Sequence, residues 1–298
     1  MIEINRRNAM LSLAALGLSA CMRVEDDLDW RQRLRDIERA AGGTLGAYLL
    51  DTASGQGIGW REEERFAHCS SFKLSLAALA LSLQERGELS LTEPIAYGEA
   101  DLLHHSPVTS ERLATGSMTI GELAQATLVT SDNAAANLLL RRFGGTEALT
   151  GFWRKLGDDV SRLDRYEPEL NDVPKGELRD TTTPIAMAQT LARLLTGKVL
   201  GEAARDTLER WTMEVQTGSR RLRAGLPAGW RAGDKTGTGV NPTNATYVDI
   251  GWFVPPSGRT IVVTGYFRPS RIIEPTDPAA EKVLADLGAV AADWARRA

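Results

Sequence analysis

The stretch SSFKLSLAALALSL, residues 70–83, begins the part of the chain that the sequence predicts to be helical. Its Ala- and Leu-rich portion, residues 74–83, is typical of a helix, and residues 133–143 form a second segment of this kind. Helix-start and helix-end signals divide the region from about residue 70 to residue 212 into several helices. These signals are the capping box Thr119 to Glu122, the start Thr183-Pro184, and the glycine ends Gly144-Gly145 and Gly197.

Strands and further helices are predicted at both ends of the chain. Residues 28–41 indicate an amphipathic helix, and residues 44–51 and 57–61 indicate two strands around a turn. After Trp230, β-branched and aromatic residues favour strands at 247–254 and 260–267, and a terminal helix begins at Asp277-Pro278. The predicted fold class is therefore α/β, with a sheet assembled from the two chain ends and a helical part inserted between them. We expect the site in the cleft between the two parts.

Domain boundaries follow from the same pattern. Residues 22–66 and 213–298 are predicted to form the α/β part, and residues 67–212 the helical part. The chain has 298 residues, of which 43% are hydrophobic, so a sizeable core is expected.

Charge and composition exclude several classes of partner and cofactor. The net charge is -4, and Lys and Arg are interleaved with Asp and Glu, so we expect no nucleic-acid partner. The three histidines show no ligand spacing with acidic or sulfur partners, so neither a metal site nor another cofactor is predicted.

The first residues resemble an export signal. Arg6 and Arg7 precede an uncharged run, residues 9–20, that is too short to span a bilayer. This pattern favours a twin-arginine signal over residues 1–21 and an extracytoplasmic, periplasmic location. Residues 18–21, Leu-Ser-Ala-Cys, also resemble a lipobox, which would make Cys21 a lipidation site and anchor the protein to a membrane. The alternative is an ordinary basic leader in which Cys21 follows small residues by chance.

Ser70 and Lys73 are the first candidate catalytic residues. If a helix starts here, the hydroxyl and the amine lie on one face within reach of each other. A serine hydroxyl becomes a good nucleophile when a neighbouring base accepts its proton. The alternative is a helix with a solvated lysine.

Two triplets favour the catalytic interpretation. They are Ser131-Asp132-Asn133, between two helical segments, and Lys235-Thr236-Gly237, at the start of the C-terminal strand region. With Ser70-x-x-Lys73, in this order, they resemble the motif set of the serine β-lactamases and penicillin-binding proteins. This resemblance covers the whole mature chain. It implies an antiparallel five-stranded sheet flanked by helices, together with an inserted helical domain.

Residues 165–171, RYEPELN, resemble the Ω-loop of the class A β-lactamases. Glu167 and Asn171 match the pair that holds and activates the deacylating water, and Asp180 matches the aspartate that pairs with Arg165 at the base of the loop. An acyl-enzyme with such a carboxylate turns over. The alternative is an acidic surface loop.

The resemblance also implies a role for each site residue. Ser70 would attack the lactam carbonyl, with the backbone N–H groups of Ser70 and Thr238 as the oxyanion hole. The acylation base, Lys73 or a water held by Glu167, stays open. Ser131 would protonate the leaving nitrogen, and Asn133 would hold the side-chain amide of the substrate.

A β-lactam carboxylate is expected to face Lys235, Thr236 and Gly237. Arg221 would assist by binding this carboxylate in bidentate fashion, although a cationic surface turn is the alternative. His105 occupies a loop position that lines the substrate entrance in relatives.

Two further features depart from the family pattern. Some carbapenem-hydrolysing relatives have a disulfide between the position of Cys69 and a residue just after the Lys-Thr-Gly triplet, which is Gly239 here, so we expect Cys69 to be a small buried side chain. Residues 240–245, VNPTNA, form a longer strand entry than in many relatives and are expected to alter the edge of the cleft.

The leading hypothesis is a class A β-lactamase that acts on penicillins and cephalosporins and confers antibiotic resistance. A peptidoglycan carboxypeptidase and a penicillin-binding sensor are the competing hypotheses. Glu167 with Asn171 argues against the carboxypeptidase, and a sensor needs a membrane-spanning segment and lacks a deacylating carboxylate. A monomer is expected by resemblance.

Overall fold

A computed structural model describes residues 29–274 and 276–297. The predicted export signal and Cys21 lie outside the described residues. Within the described ranges, no helix combines the length and the apolar character needed to cross a bilayer.

A five-stranded sheet in the order β2-β1-β9-β8-β7 forms the centre of the α/β part, and every neighbouring pair is antiparallel. This confirms the predicted fold class. Two short strand pairs, β3 with β6 and β4 with β5, lie outside this sheet. The strands are β1 Gly43–Asp51, β2 Gly57–Trp60, β3 Phe66–Ala67, β4 Pro94–Ala96, β5 Ser117–Thr119, β6 Thr181–Thr182, β7 Arg231–Val240, β8 Ala245–Val254 and β9 Ile261–Pro269.

Helices fill the region between β3 and β7 and cover the sheet. The helices are α1 (residues 29–41), α2 Phe72–Glu85, α3 Pro107–Glu111, α4 Ile120–Val129, α5 Asn133–Phe143, α6 Thr146–Lys155, α7 Pro184–Thr196, α8 Glu202–Met213 and α9 Pro278–Arg297. The predicted ends are confirmed. Thr119 and Glu122 exchange hydrogen bonds at the start of α4, and Gly144, with φ +101°, ends α5.

Each face of the sheet has its own core, because successive side chains on a strand point to opposite faces. On one face, Leu45 and Leu49 of β1 pack in a cluster with Leu284 and Leu287 of α9. On the other face, Val248, Ile250 and Trp252 of β8 belong to a cluster that includes the buried residues of α2. The sheet is therefore covered on both faces.

Helix α7 connects the two parts of the molecule. It lies within residues 67–212, yet Met187 and Leu191 share a buried cluster with Tyr266 of β9, and Thr264 Oγ1 donates to Pro184 O at 2.8 Å. The apolar stripe of this amphipathic helix faces the sheet. The exact domain boundaries stay a prediction.

The Lys235-Thr236-Gly237 triplet lies in the middle of β7, the first strand of the C-terminal strand region, which begins at Arg231. β7 is an edge strand of the sheet. Its free edge passes the start of α2, which brings the triplet to the cleft.

Candidate active site

Ser70 lies where a 3-10 turn, Cys69–Ser71, leads into α2. Ser71 Oγ donates to His68 O at 2.7 Å, and Cys69 has a φ of +43°. This non-helical entry is followed directly by helix, so Lys73 lies one turn beyond Ser70 on the same face. The predicted pairing of hydroxyl and amine is present, with Lys73 Nζ 3.0 Å from Ser70 Oγ.

Lys73 is at the centre of a buried polar network. Its ammonium lies 2.9 Å from Ser131 O and 3.0 Å from Glu167 Oε1, and it also donates to Asn133 Oδ1. The side chain is 0% exposed, so the alternative of a solvated lysine is wrong. Burial lowers the pKa of Lys73, while the neighbouring Glu167 carboxylate opposes this effect. A lowered pKa makes the neutral amine easier to reach, so Lys73 is suited to accept and return a proton.

The Ser131-Asp132-Asn133 triplet is held in place by Asp132. Its buried carboxylate caps α5 through Ala135 N at 2.9 Å and also accepts hydrogen bonds from the backbone N–H groups of Val108 and Thr109. Ser131 adopts a φ of +61°, a costly conformation for a non-glycine residue that the anchored neighbour maintains. Its hydroxyl consequently lies between two cations.

These two cations are Lys73 and Lys235. Ser131 Oγ lies 3.4 Å from Lys73 Nζ and 3.1 Å from Lys235 Nζ. Burial and the nearby charge of Lys73 lower the pKa of Lys235 well below its ordinary value. A proton can therefore move through this hydroxyl over short distances.

Glu167 is the second group that contacts the nucleophile. Ser70 Oγ donates to Glu167 Oε1 at 3.3 Å, and Asn171 Nδ2 donates to Glu167 Oε2 at 2.6 Å. Glu167 is 3% exposed, so the alternative of an acidic surface loop is wrong. Within the described residues Asn171 Oδ1 is buried and accepts no hydrogen bond. A small ligand such as water would find an acceptor there, beside the carboxylate.

Asn137 holds Glu167 in place, a role that the sequence did not reveal. Its Oδ1 accepts from Glu167 N at 3.0 Å, and its Nδ2 donates to Glu167 O at 2.8 Å. The Asn137 side chain thus pairs with both backbone polar groups of Glu167, as a neighbouring strand would in a sheet. A buried asparagine in an Ala- and Leu-rich helix was the available signal, since such a polar side chain requires partners.

The loop that carries Glu167 is closed at its base. Arg165 Nε donates to Asp180 Oδ2 at 2.6 Å, and Asp180 Oδ1 accepts from the backbone N–H groups of Asp164 and Arg165. The predicted pair is therefore brought together. It lies away from the nucleophile and holds the two ends of the loop against each other.

Strand β7 forms the opposite wall of the cleft. A methyl group on Gly237 would lie 2.8 Å from His68 O and 3.0 Å from Ser70 N, so only glycine permits this approach. Thr236 Oγ1 is hydrogen-bonded to Thr217 Oγ1, which keeps a hydroxyl beside Lys235. The strand thus runs directly past the backbone N–H of Ser70, and Thr238 follows in the same strand.

The structure corrects the expectation for Arg221. Its guanidinium is 4% exposed, which makes the surface-turn alternative wrong for this residue. It donates to Gly237 O, Val248 O and Thr238 Oγ1 at 2.9, 2.8 and 2.6 Å, and Glu281 lies 3.4 Å away. Because these protein acceptors already take the N–H donors of the guanidinium, Arg221 is not free for bidentate binding of a substrate carboxylate. Thr238 Oγ1 connects Arg221 to the cleft instead.

His105 lies at the exposed mouth of the cleft. Its Nε2 is 2.9 Å from Thr130 O, and its backbone O accepts from Asn133 N at 3.0 Å. Asn133 Nδ2 also donates to His104 O at 2.9 Å. The loop and the triplet are therefore coupled through backbone contacts.

Cys69 is fully buried behind the nucleophile, as expected. Burial raises the pKa of its thiol to about 12, so the reactive thiolate is not populated at neutral pH. Across residues 29–274 and 276–297, the acidic, histidine and cysteine side chains form no cluster that could hold a metal ion.

Comparison with known proteins agrees with this geometry. The model of the β-lactamase enzyme family matches residues 29–295. The chain is 52% identical to β-lactamase L2 of Stenotrophomonas maltophilia over 202 residues, 68% of this chain and 66% of that protein. It is 40% identical to β-lactamase Toho-1 of Escherichia coli over 270 residues, which cover 90% of this chain and 91% of that protein.

Solved structures give the same result. An ancestral class A β-lactamase superposes with a TM-score of 0.84 at 46% identity, covering 89% of this chain and 99% of that one. The chain belongs to the β-lactamase enzyme family, and within it to the class A serine enzymes. It is a hydrolase that acts on β-lactams.

Proposed function

We propose that this protein hydrolyses the lactam amide bond of penicillins and cephalosporins through an acyl-enzyme on Ser70, and that it thereby confers antibiotic resistance. The observation that carries the proposal is the double contact of Glu167, which reaches both the Ser70 hydroxyl and the Asn171 amide. A carboxylate in this position can serve the step that regenerates the enzyme. Benzylpenicillin and nitrocefin are suitable representative substrates.

In acylation, Ser70 Oγ forms a bond to the lactam carbonyl carbon, and the carbon–nitrogen bond then breaks. The serine proton passes to Lys73 or, through a water, to Glu167, since Lys73 Nζ and Glu167 Oε1 lie 3.0 and 3.3 Å from Ser70 Oγ. The N–H groups of Ser70 and Thr238 would stabilise the negative charge on the carbonyl oxygen. Ser131 delivers a proton to the departing nitrogen.

Substrate is held by groups on both walls of the cleft. Lys235, Thr236 and Gly237 face the carboxylate, while Asn133 holds the side-chain amide. Arg221 acts by orienting the Thr238 hydroxyl, and His105 lines the entrance. Burial lowers the pKa of Lys235, and a bound substrate carboxylate would favour its charged form again, because an adjacent anion stabilises the ammonium.

In deacylation, a water held by Glu167 and Asn171 gives its proton to Glu167 and adds its oxygen to the acyl carbon. The bond to Ser70 Oγ then breaks, and Glu167 passes the proton that it took from the water to the serine oxygen. Asn171 Oδ1 and Glu167 would orient this water from two sides.

Turnover of nitrocefin by the purified protein tests the proposal against its two competitors. We expect sustained hydrolysis that is abolished in Ser70→Ala. A burst equal to the enzyme concentration, followed by no turnover, would support a penicillin-binding sensor. Release of D-alanine from a D-Ala-D-Ala peptide without nitrocefin turnover would support the carboxypeptidase.

We further propose that the protein is exported to the periplasm, is anchored through lipidated Cys21 and acts as a monomer. Support comes from the residues before the folded domain, namely Arg6-Arg7, the uncharged run and the small residues before Cys21. Cell fractionation of wild type and Cys21→Ala tests the anchor. The variant should be released as soluble protein, and a membrane-bound variant would contradict the proposal.

A further inference from the structure

The segment between β7 and β8, residues 241–244, folds into a compact turn. Asn241 Oδ1 accepts three hydrogen bonds from within it, from Thr243 N, Thr243 Oγ1 and Asn244 N, each at 2.9 Å. The turn thereby fixes its own shape. The side-chain amide of Asn241 also donates to Asn244 Oδ1 at 3.2 Å, so the two amides of the turn lie side by side.

Both amides are directed at one carboxylate of the Ω-loop. Asn244 Nδ2 donates to Asp172 Oδ1 at 2.9 Å, and Asn241 Nδ2 lies 3.3 Å from the same oxygen. We call these residues, Asp172, Asn241 and Asn244, the Asp172 latch. Asp172 directly follows Asn171, so the latch ends one residue from the side chain that contacts Glu167.

The backbone around Asp172 is held as well. Its carbonyl accepts from Arg165 at 2.9 Å, and its N–H donates to Glu169 O at 3.1 Å. A methyl group on Gly239 would lie 3.0 Å from Asn171 O, so strand and loop touch without a side chain between them. The loop is therefore fastened at three points, at Asp180, at Asn137 and at the latch.

We propose that the Asp172 latch positions Asn171, and with it the deacylating water, so that Asp172 is a positioning residue for deacylation. The inference rests on the function proposed above for Glu167 and Asn171. Acylation through Lys73 does not depend on the latch, because Lys73 and Ser131 are held by α2 and Asp132, and the backbone of Glu167 is held by Asn137. A looser latch moves Asn171 and leaves those groups in place.

The test compares single-step rates for benzylpenicillin in the full chain. Acylation is followed by stopped flow, and deacylation by the decay of the acyl-enzyme in quenched intact-mass spectra. Asp172→Ala and Asn244→Ala should each slow deacylation about three- to tenfold, the value of one hydrogen bond, with acylation unchanged. Asp172→Ala removes both contacts of the latch and Asn244→Ala removes one of them, so the double variant should be no slower than Asp172→Ala alone.

Two further variants separate positioning from general damage to the loop. Asp172→Asn keeps an acceptor oxygen and should deacylate within about twofold of wild type. Glu169→Ala removes an exposed carboxylate from the same loop and should leave both rates unchanged.

Unchanged deacylation in Asn244→Ala would overturn the latch, and so would equal losses in acylation and deacylation. Asn244 lies on the turn, so this variant stays informative if changes at Asp172 disturb folding. Wild-type deacylation is measured in the same experiment. A wild type that never deacylates would refute the proposed function, whereas normal wild-type turnover with unaffected variants refutes the latch alone.

Discussion

Replacement of Asn137 by alanine separates the positioning of Glu167 from the formation of the acyl-enzyme. The substitution removes both side-chain hydrogen bonds to the backbone of Glu167, at 3.0 and 2.8 Å, in a buried part of the molecule. Each backbone group left without a partner costs about 1–3 kcal/mol. Water can enter the space of the lost amide, so we expect a loss of about 2–4 kcal/mol in the free energy of unfolding.

The effect on chemistry should be selective. Without the amide pair, the Glu167 backbone shifts and its carboxylate leaves the geometry that deacylation requires. A displacement of this kind lowers a rate about tenfold to a hundredfold. Acylation should fall less, because Lys73 keeps its contacts with Ser70 and Ser131.

Denaturant unfolding and acyl-enzyme decay measure the two effects separately. Leu138→Ala is the matched control, since Leu138 follows Asn137 on α5, is buried and is apolar. It should cost about 2–5 kcal/mol of stability through a cavity, with the deacylation rate unchanged. If Leu138→Ala slowed deacylation as much as Asn137→Ala, general destabilisation would explain both, and the positioning argument would be refuted.

Three further predictions concern the loop base, the strand wall and pH. Asp180→Ala leaves Arg165 without its partner and should destabilise the protein by about 2–4 kcal/mol, measured by denaturant unfolding. It should also slow deacylation more than acylation. Gly237→Ala places a methyl group 3.0 Å from Ser70 N, so covalent labelling by benzylpenicillin should slow about a hundredfold. Burial lowers the pKa of His68 to about 4. In the unfolded chain the imidazole binds its proton at about pH 6.5, before the folded protein does. The free energy of unfolding should therefore fall by about 3 kcal/mol as the pH is lowered from about 6.5 to about 4.

The outcomes that would contradict these predictions are equally specific. Equal slowing of both steps in Asp180→Ala would show that the loop base is not specific to deacylation. Labelling of Gly237→Ala at a near wild-type rate would show that the strand tolerates a side chain there. For His68, the stability difference between wild type and His68→Asn should shrink as the pH falls, and parallel pH curves would contradict the shift.

Much of the fold was predictable because its signals are local. The capping box at Thr119 and the glycine end of α5 are determined within a few residues, and both form as predicted. A turn signal between two short runs, and enrichment in β-branched and aromatic residues, similarly predicted strands on both sides of the helical part. The packing of α7 on the sheet was missed, since periodicity reveals that a helix has an apolar face but not what covers it.

The site residues likewise divide into those that local motifs predicted and those whose partners only the fold brings together. The motifs predicted which side chains meet at Ser70, and the structure brings Lys73, Ser131 and Glu167 together there. Arg221 was predicted less well, because its hydrogen-bond partners come from β7, β8 and α9, and only the folded chain shows that they occupy the guanidinium. Asn137 was missed for a related reason, as its partner is a loop backbone far away in sequence.

We propose above all that Glu167 makes the Ser70 acyl-enzyme turn over. The most direct measurement is intact-mass spectrometry of Glu167→Gln mixed with benzylpenicillin, next to wild type. We expect a persistent adduct with the mass of one penicillin in the variant and free enzyme with complete substrate hydrolysis in the wild type. Rapid turnover by Glu167→Gln, with no adduct, would contradict the account.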